Sequence, residues 1–168
     1  MIHLYCGDGK GKTTAACGLA LRAAGSGLRV RFVQFFKSGR SAEVAALARL
    51  GVETTHPAVH YGRFRSLGEE QKDEVRACYG ALLAEVREHA ADFDLIVLDE
   101  AVSAAGYEMI AMDALLSFLR EEGQRREIVL TGRNPAPALV EAADYVTEMR
   151  KVKHPFDRGV TARRGIEY

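Results

Sequence analysis

A glycine-rich stretch near the start of the chain has the composition of a phosphate-binding loop. Glycines let backbone N–H groups converge on phosphate oxygens, Lys12 reaches the phosphates, and the Thr13 hydroxyl is a ligand type that suits Mg²⁺. In the strict pattern G-x-x-x-x-G-K-[ST], the first position falls on Cys6 and not on a glycine. We nevertheless interpret the stretch as a nucleoside triphosphate site. The residues expected to contact the ligand are Gly7, Asp8, Gly9, Lys10, Gly11, Lys12, Thr13 and Thr14.

An acidic pair, Asp99 and Glu100, follows the apolar run at residues 95–98. The carboxyl ends of parallel strands face the ligand crevice of an open sheet. These carboxylates are therefore expected to hold Mg²⁺ beside Thr13, directly or through water. Read alone, such a pair is also typical of a helix N-cap, but the upstream loop favours the metal. Lys37 and Arg133 follow other apolar runs and are expected to line the same crevice.

The elements that must position these residues follow from the hydrophobic pattern. Strands are predicted at residues 2–6, 30–36, 52–56, 95–98, 128–130 and 145–149. Helices are predicted at residues 13–24, 43–50, 69–90, 113–122 and 136–143. The first strand, loop, helix and second strand fit one right-handed parallel crossover, and apolar runs without alternation indicate strands covered on both faces. The pattern predicts one α/β domain over residues 1–168, a P-loop NTPase-like fold with a mainly parallel sheet covered by helices on both faces.

Composition excludes several classes of protein. The chain has 168 residues, 48% of them hydrophobic, with 23 Lys and Arg against 23 Asp and Glu. A domain of this size buries roughly 68 to 70% of its unfolded surface, so it needs no disulfides. The neutral balance argues against a general nucleic-acid binder. Three scattered cysteines, no apolar run of ~18 residues and no signal sequence predict a cytoplasmic protein without a membrane partner.

The last 19 residues depart from this neutrality. Residues 150–168 form a basic tail, with six Lys and Arg against two Asp and Glu. A solvated C-terminus and a flap or subunit contact near an anionic ligand both account for this charge. His154 precedes Pro155 and is interpreted as a turn residue and not as a metal ligand.

Further stretches of the chain occur in the same order as in a known protein family. They are residues 33–37, residues 94–100, and a C-terminal block made of residues 130–134, 142–149, 152–156 and 165–168. Together with residues 7–16 they resemble, from end to end, the P-loop ATP:corrinoid adenosyltransferases of vitamin B12 biosynthesis and salvage. The resemblance implies that a corrinoid reduced to Co(I) attacks the 5′ carbon of ATP, forms a Co–C bond and releases inorganic triphosphate.

This chemistry assigns expected roles to the residues. The nucleophile is the cobalt, so the protein must hold the 5′ carbon in line and neutralise the triphosphate. The resemblance makes Lys12 and Glu100 the expected catalytic residues, places Mg²⁺ on Thr13, Glu100 and Asp99, and matches Arg22 to a nucleotide contact. It also implies ATP and a corrinoid as substrates, an electron donor such as a reduced flavoprotein, and a homodimer.

The chain departs from the family pattern in two places. Family members commonly carry an extension before the first strand, whereas this sequence begins at that strand. They also commonly carry a Gly-Phe-x-Trp stretch whose aromatic rings pack against the corrinoid. Here the stretch reads Gly62-Arg63-Phe64-Arg65, and the chain contains no Trp. Either Phe64 alone supplies the apolar wall, or the corrinoid is held differently.

Two other functions are open from the residues. A small P-loop kinase or ATPase would act on the γ-phosphate with the help of a base, and no base is assignable. A nucleotide-gated carrier would bind the corrinoid and leave ATP whole.

Overall fold

The computed structural model describes residues 1–37, 41–59 and 66–167. The strands in this part are β1 (Ile2–Cys6), β2 (Val30–Gln34), β3 (Glu53–Thr55), β4 (Leu95–Asp99), β5 (Glu127–Thr131) and β6 (Tyr145–Glu148). The α-helices are α1 (Lys12–Gly25), α2 (Ala42–Arg49), α3 (Glu69–Glu88), α4 (Ala101–Gly106), α5 (Met112–Glu122) and α6 (Pro137–Ala142). Short 3₁₀ turns cover Ala90–Asp92 and Pro155–Arg158.

The six strands form one sheet in the order β3-β2-β4-β5-β1-β6, and each pairing in it is parallel. All strands therefore end at the same edge. The register sets Gln34 opposite Asp99, and Cys6 opposite Glu148. The end of β1, which leads into the phosphate loop, thus lies at the same edge as the acidic pair.

Helices cover both faces of the sheet. On one face, Ala16 and Ala20 of α1 pack with Val97 of β4 and Val129 of β5. On the other face, helices α3, α4 and α5 enclose the alternate strand residues, among them Ile96. Strands β2 and β4 are buried along their whole length because neither face is open to solvent. This arrangement confirms the predicted fold class.

The structure differs from the predicted elements at two functional positions. Strand β2 ends at Gln34, two residues earlier than predicted, and Phe36 has a φ of 55° in the left-handed region. The helix α4 was not predicted, since six residues are too few to show a periodic apolar stripe. Glu100 occupies its N-cap position with a φ of 63°, but its side chain makes no capping hydrogen bond.

Membrane-spanning helices are absent from residues 1–37, 41–59 and 66–167, where no helix has both the length and the apolar character required.

We expect Leu98→Ala to destabilise the fold strongly. Leu98 is 0% exposed on β4, and its truncation leaves a cavity between the sheet and its covering helices. The expected loss in the free energy of unfolding is about 2 to 5 kcal/mol, measured by chemical denaturation. The control is Leu21→Ala, because Leu21 is 51% exposed on α1. Its expected loss is below about 0.5 kcal/mol, and equal losses would contradict the assigned core.

Candidate active site at the phosphate loop

The phosphate loop connects β1 to α1 in a conformation that requires glycine. Gly7 and Gly11 have φ values of 104° and 118°, which L side chains rarely adopt. Gly9 donates its N–H to the Met149 carbonyl at 2.6 Å, and a Cβ added at Gly9 would lie 2.6 Å from that oxygen. Helix α1 begins at Lys12 without a side-chain cap, so its first N–H groups are available to an anion.

Lys12 is held inside this loop. Its side chain is buried, with 7% of the residue exposed, and Nζ donates to the Gly9 carbonyl at 2.8 Å. Burial lowers the pKa of Lys12, and the nearby Arg133 lowers it further, while Glu100 and Asp8 raise it. Burial therefore disfavours the charged ammonium, and an incoming negative charge would stabilise it.

Asp99 lies beneath the loop and is fully buried. Its Oδ1 accepts hydrogen bonds from the hydroxyls of Thr13 at 2.8 Å and Thr131 at 2.7 Å. Its Oδ2 accepts from Gln34 Nε2 at 3.1 Å and from Lys37 Nζ at 3.3 Å. Because the Thr13 hydroxyl donates its proton to Asp99, its oxygen lone pairs remain available to a cation.

Glu100 places a second side chain with oxygen atoms in the cavity that Thr13 lines. The carboxylate lines the same cavity as the loop, and Oε2 accepts a hydrogen bond from the Ser103 hydroxyl at 2.7 Å. No group of three or more His, Cys, Asp or Glu side chains able to hold a metal occurs among the described residues. Two protein oxygens fit a divalent cation that completes its coordination with phosphate and water.

Most of the predicted residues line one cavity of about 270 Å³. Its cationic side chains are Lys10, Lys12, Lys37 and Arg133. Its carboxylates are Asp8, Glu43, Glu100 and Glu167. Its remaining lining residues are Gly9, Gly11, Thr13, Thr14, His154 and Ile166. Since cations and carboxylates are equally represented, an anion fits best here together with a cation of its own.

The basic tail lies against the phosphate loop. Lys10 Nζ donates to the Ile166 carbonyl at 2.8 Å and lies 4.0 Å from a Glu167 carboxylate oxygen. The hydrogen bonds that Arg163 donates to Glu167 lower the pKa of this carboxyl to about 2. The His154 ring accepts the Phe156 N–H at 3.1 Å, a turn contact of the kind predicted for it.

Comparison with known proteins connects this geometry to a reaction. The model of the family ATP:corrinoid adenosyltransferase BtuR/CobO/CobP matches residues 1–168. The chain belongs to this family. Corrinoid adenosyltransferases of Pseudomonas aeruginosa and Escherichia coli are 34% and 35% identical to it, over 100% of this chain and over 83% and 85% of their own lengths. The Salmonella typhimurium corrinoid adenosyltransferase is 35% identical, with 100% of this chain and 85% of that protein covered.

Solved structures support the fold of this corrinoid adenosyltransferase. The flagellar accessory protein FlaH from Methanocaldococcus jannaschii matches with a TM-score of 0.56 and 16% identity, over 88% of this chain and 69% of FlaH. The EssC ATPases 2 and 3 from Geobacillus thermodenitrificans match with a TM-score of 0.51 and 16% identity. The match covers 99% of this chain and 36% of the EssC chain. At this identity the likeness concerns the fold alone, which is the predicted P-loop NTPase-like fold.

Ten of the predicted site residues line the cavity of the adenosyltransferase structure, and Gly7, Asp99 and Arg22 do not. Gly7 lies close to Met149, where an added Cβ would be 2.5 Å from the carbonyl oxygen, and Asp99 is fully buried. Arg22 is exposed in the last turn of α1, about 14 Å along the helix axis from Thr13, and is not among the cavity residues. Its contact with the nucleotide stays a prediction. Phe64 lies outside the described residues.

Three polar residues of the site had no role in the sequence interpretation. Gln34 and Thr131 are fully buried and bind Asp99, while Ser103 binds Glu100. A signal for two of them was present, since Gln34 and Thr131 are the polar last residues of otherwise mostly apolar strands. In a parallel sheet such residues lie beside the neighbouring strand end.

We expect Lys12→Ala to weaken ATP binding roughly 10- to 100-fold, because a buried charge-assisted contact to phosphate is lost. Binding is measured by calorimetry on protein whose circular dichroism matches the parent. Lys10→Ala is the matched control, since Lys10 is an exposed lysine of the same loop. Its expected effect is below roughly 5-fold, as for exposed ion pairs. Similar mild effects from both changes would show that Lys12 does not hold the phosphates.

Proposed function

We propose that the cavity around the phosphate loop is the site at which this corrinoid adenosyltransferase moves the 5′-deoxyadenosyl group of ATP to the Co(I) centre of a reduced corrinoid. The reaction belongs to adenosylcobalamin biosynthesis or salvage. The observation that carries the proposal is the Thr13–Asp99 hydrogen bond of 2.8 Å, which joins the phosphate loop to the acidic strand end. Both parts are needed if a cation and a triphosphate bind side by side.

The proposed step is a nucleophilic substitution at carbon. The cobalt electron pair forms the Co–C bond, the bond between the 5′ carbon and its phosphate oxygen breaks, and that electron pair leaves on triphosphate. The protein therefore needs no side-chain nucleophile. Its work is to align the 5′ carbon and to stabilise the negative charge that develops on the leaving group.

Lys12 and the N–H groups at the start of α1 are the proposed partners of the leaving triphosphate. The loop and the helix backbone orient these donors before ATP binds, which is the arrangement that stabilises developing charge. Lys10, Lys37 and Arg133 lie around the same cavity and are proposed to add positive charge. Lys37 reaches Asp99, so its ammonium already has a fixed position before ATP arrives.

Magnesium is the proposed divalent ion. The Thr13 hydroxyl and the Glu100 carboxylate are the residues that would hold it, with Asp99 fixing Thr13 through their hydrogen bond. Oxygen donors, few in number and completed by phosphate, are the set that Mg²⁺ prefers. When bound, the ion would neutralise phosphate charge and separate the phosphates from Glu100.

The remaining partners are also proposals. A reduced flavoprotein or similar donor is proposed to supply the electron that forms Co(I). A cytoplasmic location is proposed as well, since the three free cysteines fit a reducing compartment. A homodimer is proposed from the family resemblance, and Tyr145 and Val146, about half exposed on the edge strand β6, are consistent with a contact there. Light scattering of the purified chain measures its molar mass, which distinguishes a monomer from the proposed homodimer.

The products of one turnover test the proposed reaction. We expect chemically reduced corrinoid, ATP and Mg²⁺ to give adenosylcorrinoid and intact triphosphate, because the bond that breaks lies at the 5′ carbon. Absorbance follows the corrinoid and ³¹P NMR identifies the phosphorus product. ADP with phosphate would instead indicate a kinase or ATPase, and unchanged ATP with bound corrinoid would indicate a carrier. Either result contradicts the proposal.

A further inference from the structure

We propose that Thr131 and Ser103 are positioning residues that fix the acidic pair for the complex of ATP and its cation. Residues 131–133, which we call the brace, contact the acidic pair through the Thr131 hydroxyl and contact Ser103 through the Arg133 N–H. This inference rests on the proposed function, because it concerns how that site is kept ready. Both side chains are uncharged, and each acts through its hydrogen bonds to Asp99 or Glu100.

The Thr131 hydroxyl joins the two acidic residues. It donates to Asp99 Oδ1 at 2.7 Å and accepts the Glu100 N–H at 2.8 Å. One hydroxyl thus serves as donor and acceptor at once, and both partners belong to the neighbouring strand end. Thr131 is 0% exposed, so water does not replace either contact when the hydroxyl is removed.

The Ser103 hydroxyl makes an equivalent link one turn into α4. It donates to Glu100 Oε2 at 2.7 Å and accepts the Arg133 N–H at 3.1 Å. Gly132, between Thr131 and Arg133, lets the two segments approach, since a Cβ there would lie 2.7 Å from the Ser103 nitrogen. The brace therefore contacts both acidic residues through Thr131, and through Ser103 it fixes Glu100 a second time.

Backbone strain at Glu100 explains why such support is needed. Its φ of 63° is unusual for a residue with a side chain. Residues keep such a conformation only where their surroundings fix it, and such sites are often functional. The Thr131 bond to the Glu100 N–H and the Ser103 bond to its carboxylate fix this residue at both ends.

The functional consequence concerns the cation with ATP, and not the corrinoid. A divalent ion held by Thr13 and Glu100 requires both oxygens at one fixed separation. Thr13 is oriented by Asp99, and Asp99 shares Thr131 with Glu100. Loss of the Thr131 hydroxyl should therefore weaken the cation site while contacts elsewhere in the cavity persist.

The test compares Thr131→Val with Thr131→Ser in the full chain. Valine keeps the shape and loses the hydroxyl, whereas serine keeps the hydroxyl and loses the methyl group. Mn²⁺ in the presence of ATP is the probe, and its free concentration is read by electron paramagnetic resonance. We expect Thr131→Val to weaken Mn²⁺ binding at least 10-fold and Thr131→Ser to retain affinity within about 3-fold. The KM for reduced corrinoid should change less than 2-fold in both.

Ser103→Ala provides a second test with a matched control. Ser117 donates to Glu121 at 2.8 Å on the exposed face of α5, a serine–glutamate pair of similar geometry remote from the cavity. We expect Ser103→Ala to weaken Mn²⁺ binding 3- to 10-fold and Ser117→Ala to leave it unchanged. Ser103 is only partly buried, so this variant carries the test if Thr131→Val does not fold.

Several outcomes would overturn the inference. Parental Mn²⁺ affinity in Thr131→Val, or equal losses in Thr131→Val and Thr131→Ser, would show that the hydroxyl does not position the site. Equal losses in Ser103→Ala and Ser117→Ala would do the same for Ser103. Failure of the proposed function is a separate result, because it means that the parent protein binds Mn²⁺ and ATP but forms no adenosylcorrinoid.

Discussion

The rest of the site depends on the hydrogen bonds that the buried carboxylate of Asp99 accepts. An ionised carboxylate without partners is costly in a protein interior, so it persists only where donors surround it. Here the donors come from the start of α1, from the end of β2 and the residues after it, and from the end of β5. One side chain thereby fixes three segments that are distant in sequence. The phosphate loop and the end of β4 keep their relative position because Thr13 donates a hydrogen bond to Asp99.

This arrangement leaves the cavity with a balanced set of charges. Lys12 lies within the loop, Glu100 lies at the strand end, and the tail brings Glu167 to Lys10. Such a site differs from a simple basic patch, which attracts any polyanion. We expect it to favour phosphate that arrives with a cation, since a bare polyanion meets carboxylates as well as lysines. The neutral composition of the whole chain is therefore repeated locally where the reaction is proposed to occur.

The sequence predicted those parts of the fold and site whose signals are local. The glycine spacing indicated the phosphate loop, and the apolar runs indicated five of the strands closely, because both depend on residues adjacent in the chain. The extent of β2 was missed, since its end depends on the backbone turn at Phe36. Helix α4 was missed because it is too short to show a period. Gln34 and Thr131 stood out locally as polar strand ends, but their shared partner Asp99 depends on strand order, which no local pattern contains.

The strand order also has a consequence for how the protein is made. Strand β1 is first in the chain, yet it lies between β5 and β6, with Ile2 opposite Ile128 and His3 opposite Tyr145. Its hydrogen-bonding neighbours thus follow it at long sequence separation, 126 residues for Ile2 and Ile128 and 142 residues for His3 and Tyr145. Contacts of such long sequence separation form late and slowly during folding. The phosphate loop, which follows β1 directly, therefore gains its final shape only after β5, β6 and Met149 have been synthesised and have joined it.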